Sequence, residues 1–423
     1  MKTKTFKNGL KLVVEEVPSM ESSIVGICVN VGSRYETPEL QGVSHFIEHM
    51  VFKGTSSRSH ADISKELEGI GGRLNAWTSN TQTFFHTRFV GNHTGTVLDI
   101  LTDMLFNSKF NEKDIESEKK VVCEELKMYE DDSASHVDQL TDTMLYEKTS
   151  LEHSILGSIN TITNYNRRKM YNYYVKHYRP DNMTIVAVGN IKYKDIVKKI
   201  LQNENTTYYG LNVINRPKKI IKFKNTKSII REYRKTEQSN IVIGIKGYGS
   251  NHKDFEILNL LTVILGGNMS SRLWETVREK HGLAYSVKAY LDVQEDIGLL
   301  KIFAGVSPKN TVRCITDIID TIRKAKNDII PEELQRAKNY LIGSLKMTYE
   351  TIPGKTTMIV KGLLSEDKTS ILKKINKYKK IEIKDINRVY KNIMKEESFV
   401  VSIIGPISPL TEQRLRDEFK FKE

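Results

Sequence analysis

Apolar residues at Val43, Phe46, Ile47, Met50 and Val51 recur at the three- and four-residue spacing of a helix, while His45, Glu48, His49 and Phe52 fill its remaining stripe. A helix that is apolar on nearly every side is predicted to be buried. Ahead of it, Phe6 to Val14 places Asn8-Gly9 between apolar flanks, the signal of a hairpin with a type I′ turn. Ile24 to Val31 reads as a strand, His60 to Gly69 as a helix, and Leu74 to Val90 as a strand or hairpin. Leu98 to Phe106 and Asp114 to Tyr129 carry amphipathic helical patterns. A further helix ends at Tyr174 to Tyr178, before the strand Met183 to Val188 and the helix Lys192 to Leu201. Residues 203–227 are polar and rich in Asn and Lys, with Gly210 and Pro217, and suit a linker.

Beyond that stretch the same order of elements returns. Leu126-Lys127-Met128 recurs as Leu345-Lys346-Met347, and at the same spacing Ile115 meets Leu334 and Lys119 meets Lys338. An apolar helix again ends at a glycine pair, Gly266-Gly267. Carried across, Glu125 falls on Ser344 and Glu118 on Ala337, while His45 falls near Ile264 and His49 near Asn268. The repeat keeps a scaffold and drops the ionisable groups. The expected architecture is α+β: two homologous α/β domains related by internal duplication, each a mixed, mainly antiparallel sheet packed with helices, enclosing a cavity. Their boundaries are expected at 1–210 and 225–423, with 211–224 as linker. A chain of 423 residues is natural for two such domains.

Composition narrows the function classes. The net charge is +13, but the basic residues are mostly lysines scattered in small groups such as Lys218-Lys219 and Lys377-Tyr378-Lys379-Lys380. Neither a stacking series of aromatics nor a nucleic-acid motif accompanies them, so solubility explains the charge and no nucleic-acid partner is expected. No apolar run approaches a membrane span, so no membrane partner is expected either. The segment from Met1 to Phe6 has neither an apolar signal core nor an arginine-rich presequence, and a cytoplasmic location is the expectation. Three widely separated cysteines, Cys28, Cys123 and Cys314, do not form a disulfide framework; Cys28 and Cys123 read as small core residues.

The candidate chemistry sits on two of the helices. His45 and His49, four apart, project from one face with Glu48 beside them. Two imidazoles and a carboxylate in a buried turn need partners, and a divalent cation is the simplest. On the helix at 114–129 an apolar stripe runs through Ile115, Val121, Val122, Leu126 and Tyr129, and Glu118 and Glu125 fall on it seven residues apart. Carboxylates facing a core are unfavourable unless they bind metal or pair with imidazole. The residues alone leave those two roles open.

His45-x-x-Glu48-His49 reverses the commoner zinc-peptidase order His-Glu-x-x-His. Together with Glu118 and Glu125 it resembles the pitrilysin/insulinase family of metallopeptidases. Gly71-Gly72-Arg73-Leu74-Asn75-Ala76, Tyr178-Arg179-Pro180-Asp181-Asn182-Met183 with Gly189-Asn190, Ser270-Ser271-Arg272-Leu273, and the run Val277 to Ser286 are similar to further segments of the family in the same order. Size and wording look most like the processing-peptidase branch, near the catalytic subunit of the mitochondrial enzyme and its bacterial relatives. A long glycine-rich loop of the non-catalytic partner subunit is replaced here by the short Gly266-Gly267-Asn268. The resemblance implies one zinc per chain, held by His45, His49 and Glu125, with Glu48 as general base. It implies that Glu118 accepts a ring N–H from a ligand histidine. Asn75 and Ala76 would hold the substrate as an added strand, and Arg278 and Tyr285 would fix it and stabilise the oxyanion. It further implies an extended, presequence-like and basic peptide substrate and a homodimer. The competing class is a non-catalytic scaffold subunit of the same fold; such subunits tend to lose the ligands, and this chain keeps all three and Glu48.

Overall fold

The structure is a computed structural model that describes residues 1–203, 228–364 and 370–419. The expected linker at 211–224 lies outside the described residues. The chain forms two compact units, each a sheet with helices on both faces.

The first half runs β1 (Lys2–Thr5), β2 (Lys11–Glu16), β3 (Ser22–Val29), α1 (Val43–Val51), α2 (His60–Gly69), β4 (Arg73–Thr78), β5 (Thr83–Val90), α3 (Thr94–Phe106), α4 (Glu112–Asp131), α5 (Ser133–Leu145), α6 (Ile159–Thr163), α7 (Arg167–His177), β6 (Met183–Gly189) and α8 (Tyr193–Gln202). The second runs β7 (Ser228–Tyr233), β8 (Ser239–Gly247), α9 (Phe255–Gly266), a π-helical turn at Trp274–Lys280, β9 (Ala284–Val293), β10 (Gly298–Val306), α10 (Thr311–Asp328), α11 (Pro331–Glu350), α12 (Ile352–Gly362), α13 (Ile371–Lys380), α14 (Ile383–Ile393), β11 (Val400–Gly405) and α15 (Pro409–Phe419).

The first sheet has the order β1-β2-β6-β3-β5-β4 and the second β7-β11-β8-β10-β9. Only β2–β6 and β7–β11 pair in parallel, so both sheets are mixed and mainly antiparallel, as the sequence predicts. Apart from the extra edge strand β1, the two orders superimpose element for element. The duplication is most direct in the long helices: Glu112 to Pro331 and Asp131 to Glu350 are both steps of 219 residues. The same step does not carry α1 onto α9. That helix ends at Gly266, so Asn268, the position expected opposite His49, lies past its end. The loops before α9 differ in length from those before α1, and the spacing drifts with them.

The compact units are not the contiguous halves expected from the sequence. Among the described residues, the first unit gathers 1–127, 153–203 and 347–364, and the second 128–152, 228–346 and 370–419. The reason is burial. On one face of the first sheet lie α1, α3 and their neighbours, with Phe46, Ile47, Phe85 and Leu101 in its core. The opposite face carries Ile24, Cys28, Phe84, Val186 and Val188, and α12 covers them with Ile352 and Val360. In the second unit α5 does the same, Val137 and Leu145 packing on residues such as Val242, Leu299, Val400 and Ile404. Each half of the chain thus lends one helix to the other's sheet, since a two-faced apolar sheet must be covered on both sides.

Two local readings change with the structure. The β1–β2 hairpin forms, but Phe6 N–H bonds Leu10 O at 2.8 Å and only Gly9 has positive φ (+84°). A type I′ turn needs positive φ at both central residues; here three residues, Lys7 to Gly9, make the loop and glycine takes the left-handed place. On α4, Ile115, Glu118, Val122 and Leu126 are buried, whereas Val121 and Tyr129, expected on that stripe, are about half exposed. All three cysteines are free, Cys28 and Cys314 buried and Cys123 partly exposed. No described helix is long and apolar enough to cross a membrane.

Candidate metal centre

Helix α1 owes its place to its first turn. Gly42 precedes it with φ +88°, and a Cβ there would stand 2.4 Å from Leu156 O, so the position admits only glycine. Glycine offers no capping side chain. Glu36 supplies the cap from outside: its two carboxylate oxygens accept the N–H groups of Gly42 and Ser44, each at 2.7 Å. Burial pushes the Glu36 carboxyl up to about 8, against the pull of those donors. Val43, Phe46, Ile47, Met50 and Val51 are fully buried, which fixes the helix against the sheet and aims the remaining stripe at α4.

On that stripe His45, His49 and Glu125 come together, with one ligand atom from each all within 4.8 Å of one another. His45 Nε2 is 3.8 Å from Glu125 Oε1, and His49 Nε2 is 3.5 Å from Glu125 Oε2. These are too long for good hydrogen bonds. They match the roughly 3.4 Å between two ligands of a tetrahedral ion bound at ~2.1 Å. His49 Nδ1 is 2.8 Å from Glu118 Oε1, which fixes its ring proton on Nδ1 and leaves Nε2 as a donor atom. Glu118 is buried and its other oxygen pairs with Lys53. The donor set, two imidazoles and a carboxylate with the second imidazole oriented from behind, fits a zinc ion with a position left open. Among the described residues it is the one group of three or more such side chains close enough to hold a metal.

The two imidazoles sit in opposite electrostatic settings. Burial, reinforced by the neighbouring His49, lowers the His45 pKa to about 3, so its ring is neutral and able to ligate. Burial pulls His49 down, but the Glu118 hydrogen bond and the surrounding carboxylates outweigh it and raise its pKa. Glu118 is lowered by His49 and Lys53 despite its burial. Glu48 lies on the same helix, off the cluster, and accepts a hydrogen bond from Thr78 Oγ1 at 2.5 Å; burial raises its pKa.

Thr78 ends β4, which is the edge of the first sheet and carries Asn75 and Ala76 paired inward to His86 and Phe85. Arg278 and Tyr285 belong to the second unit. There the Arg278 guanidinium lies over the rings of Trp274, at 4.0 Å, and of the exposed Tyr285, at 5.2 Å. The structure thus joins His45, His49, Glu118 and Glu125 in one cluster, sets Glu48 beside it, and pairs Arg278 with Tyr285 in the second unit. Sequence reasoning missed Thr78, Lys53 and Trp274. Lys53 stands four residues after His49, a spacing that was open to reading; Thr78 and Trp274 had no local signal.

A two-unit α/β fold with an inverted His-x-x-Glu-His helix and an acid from a following helix defines a class of metallopeptidase, and the comparisons agree. Residues 11–159 match the family described as insulinase, peptidase family M16, and residues 164–341 match the peptidase M16 inactive domain. The chain is 34% identical over 411 residues to an uncharacterized zinc protease, YmxG, of Bacillus subtilis (strain 168), covering 96% of this chain and 98% of that one. It is 31% identical over 359 residues to an uncharacterized zinc protease of Rickettsia bellii (strain RML369-C), covering 84% and 85%. The solved structure of a protease from Helicobacter pylori shares the fold, with a TM-score of 0.90 at 20% identity over 96% of this chain and 99% of that one. This chain belongs to the M16, insulinase-type peptidase family.

Proposed function

We propose that the protein is a zinc-dependent endopeptidase that cleaves extended or unfolded peptides. The observation that carries this is the convergence of His45, His49 and Glu125 with Glu48 held alongside. The similarity to proteins named zinc proteases supports it. Those three side chains would hold the ion, one per chain. When bound, zinc supplies a Lewis acid that polarises the peptide carbonyl and acidifies water. Glu48 takes the proton of the attacking water and returns it to the leaving nitrogen. Thr78 keeps the Glu48 carboxylate turned toward that task, and Glu118 keeps the His49 ring in register. The free edge of β4 at Asn75 and Ala76 accepts the substrate backbone as an added strand. Arg278 and Tyr285 are assigned to the substrate carbonyl and the oxyanion by family resemblance. Basic, presequence-like peptides, a homodimer and action in the cytoplasm complete the proposal.

The test is zinc content by elemental analysis, together with cleavage of an unstructured peptide library, for the whole protein and for Glu48→Gln. Glu48→Gln is expected to retain zinc and lose about 10²–10⁴-fold in turnover. A zinc-loaded wild type that cleaves nothing would instead support the scaffold reading.

A further inference from the structure

The two helices of the centre present their ionisable groups as interleaved rows. Helix α1 and the turn after it carry His45, His49 and Lys53 at successive steps of four, and α4 carries Glu118 and Glu125 seven apart. Glu125 faces both histidines, His49 stands between Glu125 and Glu118, and Glu118 stands between His49 and Lys53. Lys53 therefore pairs with the second carboxylate, Glu118. It closes the row from behind.

The Glu118 side chain is 4% exposed, too sealed for water to serve both of its oxygens. Its Oε1 is committed to His49 Nδ1 at 2.8 Å, and Lys53 Nζ engages Oε2. That second oxygen has no hydrogen-bond partner, so the Lys53 ion pair is what compensates it; without Lys53 the carboxylate would be free to turn toward another partner. The lysine itself is one-third exposed and makes no hydrophobic core, so little else depends on it.

We propose that Lys53 is a positioning residue for the metal centre. It grips one oxygen of Glu118 so that the other stays aligned on the His49 ring, and the His49 Nε2 stays aimed at the position shared with His45 and Glu125. The proposal rests on the zinc reading above. Residues that orient a ligand from behind typically carry about 10–100-fold in metal affinity.

The experiment measures zinc dissociation constants of the full chain by chelator competition, with the melting of the metal-free protein as a check on folding. Lys53→Met is expected to bind zinc about 10–100-fold more weakly, and Lys53→Arg to recover most of the loss. Glu118→Gln is expected to weaken binding by a similar factor. The double variant Lys53→Met, Glu118→Gln is expected to bind no more weakly than Glu118→Gln alone, because Lys53 acts only through that carboxylate. Should Lys53→Met fail to fold, Lys53→Gln, which removes the charge and ends one atom short of the ammonium, takes its place in the same cycle. Lys119→Met, which removes a lysine paired outward with Glu116, is expected to bind like the wild type. Wild-type affinity in Lys53→Met, or fully additive losses in the double variant, would overturn the role of Lys53. A wild type that binds no zinc would overturn the metal reading itself, and this proposal with it.

Discussion

Helices α4 and α11 have the same length, the same place in the fold and opposite chemistry. Glu118 in α4 is 3% exposed, and Ala337, its counterpart 219 residues on, is 2% exposed. Glu125 likewise corresponds to Ser344, and α9 offers Leu260, Leu261 and Ile264 in the helix that corresponds to α1. The scaffold is content with alanine at a sealed position. A carboxylate in the same setting is costly unless something compensates it. The first unit nonetheless keeps Glu118 in such a setting, and the partly exposed Glu125 two turns on, facing two imidazoles, an arrangement that packing alone does not require.

The second unit shows what a buried charge looks like when it is closed on itself. Lys301 in β10 is fully buried and reaches Asp138 at 2.9 Å, Asp142 at 2.6 Å and Asp292 at 3.2 Å. Two of those aspartates lie on α5, so the cluster fastens the lent helix to the sheet. Nothing further is needed to satisfy the lysine. The cluster on α1 and α4 lacks such closure, because its three ligand atoms stand 3.5 Å and more apart.

The contrast can be broken most sharply at Glu125. Glu125→Gln is expected to weaken zinc binding by more than the roughly 10–100-fold typical of a supporting residue. Glu124→Gln, which removes only an exposed partner of Lys127, is expected to leave it unchanged. Equal effects in a zinc titration would dissolve the distinction between the two acids. Next in size is Lys301→Met, which leaves three carboxylates facing one another. It is expected to destabilise the second unit by about 3–5 kcal/mol, seen as a lower denaturant midpoint. A neutral result would mean that the cluster does not hold α5.

The smallest effect concerns a pair at the rim of the second unit. Asp254 accepts both arms of Arg388 at 2.7 and 2.8 Å, and that pairing holds its carboxyl below the usual range. A depressed folded pKa adds stability above the unfolded value, and that stability is lost as pH falls through the folded value. Arg388 is nearly half exposed, so solvent screens the pair. Asp254→Asn is therefore expected to flatten, slightly, the loss of stability below about pH 4. An unchanged acid limb would show that the pair contributes nothing.

What could be read along the chain was whatever depends on neighbours in sequence. The bounds of α2, the strand at Met183, the i, i+4 pairing of His45 and His49, and the two-turn spacing of Glu118 and Glu125 all follow from helix and strand period. The duplication was legible for the same reason, as a shared order of elements. The hairpin was legible too, but not its turn type, since Asn8-Gly9 is compatible with more than one loop length. Val121 and Tyr129 were misplaced because an apolar residue on a helix does not declare whether a partner covers it.

Only the tertiary structure decided the rest, because it depends on which surfaces meet. That Glu118 stands behind His49 while Glu125 faces both rings is set by the packing of α4 against α1, across a sequence separation of 69. Thr78 reaches Glu48 because β4 lies at the sheet edge beside α1, and Lys53 reaches Glu118 because the turn after α1 runs past it. The exchange of α5 and α12 between the two sheets has no local signature at all. Each helix is amphipathic in its own right, and only the uncovered face of a distant sheet determines where it is buried.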